Sequence, residues 1–256
     1  MPWTERQRDM LRAMGIRLFA PPAFEDEPAP PPAAPRVAPA PVVVRQTVVA
    51  AAPRGDIAQL DWPALRAAVA GCQACALGQS RRQTVFGTGH LQAHWMIVGE
   101  APGEQEDRQG EPFVGVAGQL LDNMLRALGL TRDEAPPERQ VFIANTLKCR
   151  PPNNRNPDPA ETAQCAPFLE RQIALVQPRL ILAMGRFAAQ ALLASTEPLG
   201  KLRGRIHQYR GVPVVVTYHP AYLLRTPADK ARAWEDLCLA ATVVEKPGRD
   251  SDVDPP

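Results

Sequence analysis

The sequence predicts an α/β fold, a three-layer sandwich with a central four-stranded parallel sheet. Two observations point to it. Four short apolar runs, WMIVG (95–99), VFIAN (141–145), LILAM (180–184) and VPVVVTY (212–218), are of strand length and read as buried strands. Helical patterns separate them: GQLLDNMLRALG ends at Gly129, PAETAQCAPFLERQIALVQ opens on Pro159, GRFAAQALLAS follows the third run, and a last helix spans about 227–244. Strand and helix in alternation imply parallel strands covered on both faces, which gathers the loops after the strands on one rim.

Length and composition set the outer limits. Of the 29 prolines, ten lie between Pro21 and Pro53 in a stretch otherwise rich in Ala and Val, which reads as an extended linker over 21–54. Ahead of it, WTERQRDMLRAMGIRLF carries a capping-box pattern at Thr4 and Gln7 and predicts a short helix within 1–20, either a weakly ordered end or a docking segment for a protein partner. The body then covers 55–244, and 245–256 reads as a disordered tail. No apolar run has the length of a membrane span and no basic-then-apolar leader opens the chain, so the expectation is a cytoplasmic protein that meets no membrane. Formal net charge is only +2. Its distribution says more: from Pro198 to Ala228 the chain holds Lys201, Arg203, Arg205, Arg210 and Arg225 with no Asp or Glu, a candidate phosphate-binding stretch.

Five cysteines in a reducing compartment argue for ligation over disulfides. Cys72 and Cys75 form a C-x2-C knuckle, while Cys149 and Cys165 bracket fifteen residues, four of them proline and three asparagine. Four thiolates suit an iron-sulfur cluster or a zinc ion. A zinc ribbon would normally offer a second short knuckle, which the Cys149–Cys165 spacing is not. Cys238, sharing a helical face with Trp234, reads as a small buried hydrophobe. The long loop GEAPGEQEDRQGEPFVGVAG (99–118) lacks the G-x-G-x-x-G spacing of a dinucleotide site, and its acids would repel a pyrophosphate.

Three motifs, GEAPGEQEDRQGEPFVGVAGQLL, NTLKCRPPNNRNPDP and YHPAYLLR, following CQAC in that order, resemble the family 4 uracil-DNA glycosylases, over roughly Asp61 to Val243. The resemblance implies a 4Fe-4S cluster on Cys72, Cys75, Cys149 and Cys165, uracil-containing DNA as partner, and a uracil-DNA glycosylase-like sandwich. It also implies that Phe113 stacks on the base, that Asn145 reads O4 and N3-H, and that His219 donates toward O2. Ala101 fills a position where glycosylases of the first family carry an aspartate. Glu100, the nearest carboxylate, is the candidate for positioning water or ordering the loop, and Glu106 the candidate wall beside uracil C5, where a thymine methyl would collide. The AYLLR segment resembles a wedge, with Leu223 or Leu224 filling the vacated space and Arg225 near a phosphate. Backbone N–H groups at Ala117 and Gly118 are a further phosphate candidate.

The expected activity is monofunctional hydrolysis of the N-glycosidic bond, since Lys148, beside a cluster ligand, is the only lysine in the signature loops. A monomer is expected. Two rivals are a non-enzymatic iron-sulfur module that binds DNA or a polymerase, and a cluster-based electron carrier.

Overall fold

The structure, a computed structural model, describes residues 56–245. The expected N-terminal helix, linker and tail lie outside the described residues. Helix α1 (Trp62–Ala70) starts where the Asp61 carboxylate accepts the Ala64 N–H at 2.9 Å, and a one-turn helix α2 (Leu77–Ser80) follows the C-x2-C knuckle. A two-residue strand β1 (Thr88–Gly89) precedes β2 (Trp95–Gly99). The long loop after β2 is not wholly irregular, because it contains helix α3 (Glu104–Gln109) before α4 (Val116–Ala127). Then come β3 (Phe142–Asn145), α5 (Pro159–Val176), β4 (Leu180–Met184), α6 (Arg186–Leu193) and the short α7 (Leu199–Leu202). Strands β5 (Ile206–Tyr209) and β6 (Val212–Thr217), helix α8 (Pro220–Arg225) and helix α9 (Lys230–Glu245) complete the body.

The sheet has six strands in the order β1-β3-β2-β4-β6-β5. Its four central strands are parallel, as expected, with Gly99 beside Asn145 and Met184 beside Thr217 in register. Two antiparallel edge strands extend it. Neither was foreseen: β1 is two residues long, and β5 lies inside the basic stretch read as a phosphate candidate, where its residues alternate between exposed and half-buried. Arg210 and Gly211, both at positive φ (48° and 85°), make the two-residue turn that joins β5 to β6.

Alternation along each central strand divides the core. Met96, Val98, Phe142, Ala144, Ile181, Ala183, Val214 and Val216 face one side, against α1, α5 and α6. Trp95, Ile97, Ile143, Leu180, Leu182, Met184 and Val215 face the other, against α4 and α9. Both faces are therefore apolar, which is why these strands read as continuous hydrophobic runs. Among the described residues, no helix is long and apolar enough to cross a membrane. Cys238 differs from expectation: it is exposed, on the outer side of α9 with Trp234.

Candidate active site

Four parallel strands end on the same rim, so the residues that follow them converge. The cleft they form, of about 800 Å³, is lined among others by Glu100 and Ala101 after β2, Asn145 at the end of β3, Arg186 after β4, and His219 after β6. Glu106, Phe113, Tyr222 and Arg225 complete its wall. A second groove of about 840 Å³ involves His90, Gln92 and Gln140, which precede β2 and β3. It lies at the opposite ends of the strands and gathers none of these groups.

Asn145 is buried, and its side-chain oxygen has no hydrogen-bond partner. An unpaired buried acceptor is costly and calls for a donor from outside the chain. Its backbone is fixed on both sides: Gly99 carbonyl accepts the Thr146 N–H at 3.0 Å, and the Asn145 carbonyl accepts from Lys148 Nζ at 2.7 Å. Gly99 is a site residue that motif reading missed. A Cβ there would stand 2.4 Å from Asn145 Oδ1 and 2.6 Å from Phe113 Cζ, so only glycine lets both groups meet over the end of β2.

Phe113 is buried and carries φ 54°, an uncommon conformation outside glycine. Three anchors hold it. Gly118 admits the Phe113 carbonyl to where a Cβ would sit, and Arg132, ion-paired with Asp122 at 2.6 Å, donates to the Pro112 carbonyl at 3.2 Å. The third anchor revises the part expected of Glu106. Its carboxylate accepts N–H groups from Gly103, Val114 and Gly115 at 3.1, 3.1 and 3.3 Å, stapling the start of α3 to the segment after Phe113. Glu106 lines the cleft, but it is also the clasp of the loop.

His219 caps α8, its Nδ1 accepting the Ala221 N–H at 3.1 Å. The proton of the neutral ring is thereby assigned to Nε2. Burial, with Arg225 nearby, pulls the His219 pKa down to about 4. The ring stacks against Phe113 with centroids 5.4 Å apart. A base between two rings needs about 7 Å, two van der Waals separations. The gap between the imidazole and Phe113 is therefore too narrow for a base to enter between the two rings. Glu100 is pushed the other way: burial raises its carboxyl to about 7, opposed by Arg186. Ala101 adds a methyl, not a polar group, to this wall.

Three DNA-facing expectations are corrected. Leu223 is buried, so of the two leucines only Leu224, 41% exposed, presents a side chain outward. Arg203 is held by buried Asp236 at 2.7 Å, with its guanidinium over the Tyr218 ring, and is not free for a phosphate. The Gly118 N–H is taken by the Gly115 carbonyl at 2.8 Å. Arg205 remains at the surface, paired with exposed Glu197 at 3.1 Å, a contact worth little in water.

Cys72, Cys75, Cys149 and Cys165 line one small cavity of about 20 Å³. Helix α5 brings Cys165 there after a capping box, in which Asp158 accepts the Ala160 N–H at 2.7 Å and Glu161 accepts the Asp158 N–H at 3.1 Å. Arg81 reaches in as well, donating to the Cys149 sulfur at 3.1 Å and the Cys72 carbonyl at 2.8 Å, and the Lys148 N–H approaches the Cys165 sulfur at 3.3 Å. Burial pushes the Cys165 thiol up to about 11 and raises Cys149 too. Thiolates in this pocket need positive partners, which Arg81, Lys148 and a metal centre would supply. Among the described residues, no three Cys, His, Asp or Glu side chains are grouped so as to hold a single metal ion.

The family model of the uracil DNA glycosylase superfamily matches residues 86–238. A type-4 uracil-DNA glycosylase of Pyrobaculum aerophilum is 43% identical over 188 residues, 70% of this chain and 93% of that protein. Its counterpart in Thermotoga maritima is 41% identical over 181 residues, 69% of this chain and 91% of that one. A type-5 uracil-DNA glycosylase of Pyrobaculum aerophilum is more distant, 35% identical over 147 residues, 53% of this chain and 64% of its own. With the parallel sheet and the cleft at its carboxyl rim, these likenesses lead to one assignment: the chain belongs to the uracil DNA glycosylase superfamily, in its type-4 branch.

Proposed function

We propose that the protein is a monofunctional uracil-DNA glycosylase of DNA repair, which takes a flipped uracil from DNA and hydrolyses its N-glycosidic bond. The observation that carries this reading is the unpartnered Asn145 oxygen, buried in the same cleft as the Phe113 ring and the His219 Nε2-H. Uracil offers N3-H to that oxygen and O4 to the amide nitrogen. Cytosine presents the opposite polarity at both atoms, and mismatched groups left unpaired in a dry pocket discriminate by about 10⁴.

The bond from N1 to C1′ breaks with its electron pair leaving on the base, so negative charge collects on O2 and positive charge on the sugar. The His219 Nε2-H donates to O2 as that charge grows, a preorganised contact of the kind worth about 10²–10³ in rate. A neutral donor suits a neutral ring. Water adds to C1′, and the Glu100 carboxylate, ionised in about half of the molecules near pH 7, orients it and takes its proton. No lysine is available as a nucleophile from the signature loops, because the Lys148 amine is buried between the Asn145 carbonyl and Gln172 Oε1, both at 2.7 Å.

On the DNA, Leu224 is the wedge into the vacated space, with Arg225 and Arg205 meeting phosphates. Cys72, Cys75, Cys149 and Cys165 would hold a 4Fe-4S cluster, supplying a structural tie between the C-x2-C segment, the loop after β3 and α5. Arg81 and Lys148 supply positive charge beside four thiolates. The enzyme acts as a monomer in a reducing, cytoplasmic setting. Incubation with a uracil-containing oligonucleotide tests the reading: free uracil and an alkali-labile abasic site support it, and intact DNA with folded, iron-loaded protein rejects it.

A further inference from the structure

Tyr218 and Tyr222 flank His219 in sequence and line the cleft, yet neither belongs to the apolar clusters on either side of the sheet. Their rings stack on each other, with centroids 5.0 Å apart and planes 19° from parallel. Each is fixed by polar contacts. Arg203 lies 4.2 Å over the Tyr218 ring and is itself held by Asp236 and by the Arg232 carbonyl. The Tyr222 hydroxyl donates to Asp229 at 2.6 Å, and Arg232 donates to the other oxygen of Asp229 at 3.2 Å. Such tethers cost the rings their rotational freedom before any ligand arrives, while both remain half-buried at the mouth of the site. Leu224, exposed, stands two residues beyond Tyr222 on the same short helix.

We propose that the Tyr218–Tyr222 pair is a base-stacking subsite, taking the nucleobase next to uracil in the same strand. It rests on the glycosylase reading above. When uracil leaves the stack, each neighbouring base loses one stacking partner. A preset aromatic face beside the wedge restores one of those contacts, and because every base has a π-face it does so without regard to sequence. Positive charge from Arg225 and Arg186 in the same wall holds the strand's backbone near the rings.

The test measures binding to a single-stranded oligonucleotide that contains a non-hydrolysable 2′-fluoro-2′-deoxyuridine, with its 5′ or 3′ neighbour either a normal base or a tetrahydrofuran lacking one. Tyr222→Ala is expected to weaken binding about tenfold when both neighbours are present, and to have no effect when the stacking neighbour is missing. That coupling should appear on one side only. Tyr222→Phe and Tyr222→Trp, which keep a ring, should bind within about threefold of wild type. Iron content and melting temperature confirm that each variant is folded. Equal weakening by Tyr222→Ala whichever base is removed, or no weakening at all, would overturn the subsite. Wild-type protein that binds the probe but releases no uracil from natural DNA would instead overturn the glycosylase reading, so the two failures are distinguishable.

Discussion

The Ala221 N–H points at Nδ1 of His219, 3.1 Å away, and this one backbone contact decides which imidazole nitrogen carries the proton. A backbone amide can only donate, so Nδ1 accepts and Nε2 bears hydrogen. Burial then keeps the ring neutral down to about pH 4. His219→Ala should lower single-turnover uracil release about 10²–10³-fold. The loss should be equal at pH 6 and pH 8. A loss confined to the acidic side would mean that an imidazolium, not a neutral ring, does the work.

Glu100 should govern the pH profile. With its carboxyl raised to about 7, the rate should climb as pH rises toward 7 and level off above it. Glu100→Gln should remove that limb. A profile unchanged in shape by the substitution would assign the water to another group.

The same two residues act in opposite senses on stability. His219, lowered from 6.5 to about 4 on folding, makes the fold less stable as pH falls through that window, because the unfolded chain binds the extra proton. Glu100, raised from 4.5 to about 7, makes the fold more stable as pH falls through its own window, because the folded chain binds the extra proton. Between about 4.5 and 6.5 they offset each other. Glu100→Gln leaves His219 unopposed, so its melting temperature should drop more steeply than that of wild type on acidification through this range.

Asn145, Phe113 and His219 were named through the family resemblance of the motifs that carry them, and the structure brings all three to one cleft because they stand at strand ends or in the loop after β2. Partnership over distance was not readable. That Arg203 is spent on Asp236, thirty-three positions along, or that the Glu106 carboxylate clasps Val114 and Gly115, depends on how helices return to the sheet. Leu223 and Leu224 are adjacent in sequence and opposite in exposure, a difference set by which side of one short helix faces α4. The strand β5 escaped notice because its charged neighbours masked an edge strand's weak alternation.

Because Glu106 holds three backbone N–H groups, Glu106→Gly should not simply open space for a thymine methyl. Loss of the clasp frees the segment that carries Phe113, and uracil release should fall by at least tenfold with little gain on thymine. Glu106→Gln, which keeps one acceptor oxygen, should retain more activity. Single-turnover assays on matched U and T oligonucleotides decide between a clasp and a plain steric wall, for which Glu106→Gly would keep uracil activity and admit thymine.

Purified protein should be brown and contain about four iron atoms per chain, as four thiolates around one cavity imply. Cys149→Ser or Cys165→Ser should lose iron and soluble fold, while Cys238→Ser, at an exposed position, should lose neither. Colourless wild-type protein with one zinc ion would reject the cluster.

Asn145 as the reader of uracil is tested most directly by single-turnover release of free base by wild type and Asn145→Asp from matched oligonucleotides carrying U or C opposite guanine. Wild type should release uracil and leave cytosine alone, and the folded, iron-loaded variant should lose uracil release by at least about a hundredfold, since a carboxylate offers no donor to O4. Near-normal uracil release by Asn145→Asp would contradict it, and the unpartnered oxygen at the end of β3 would then have another purpose.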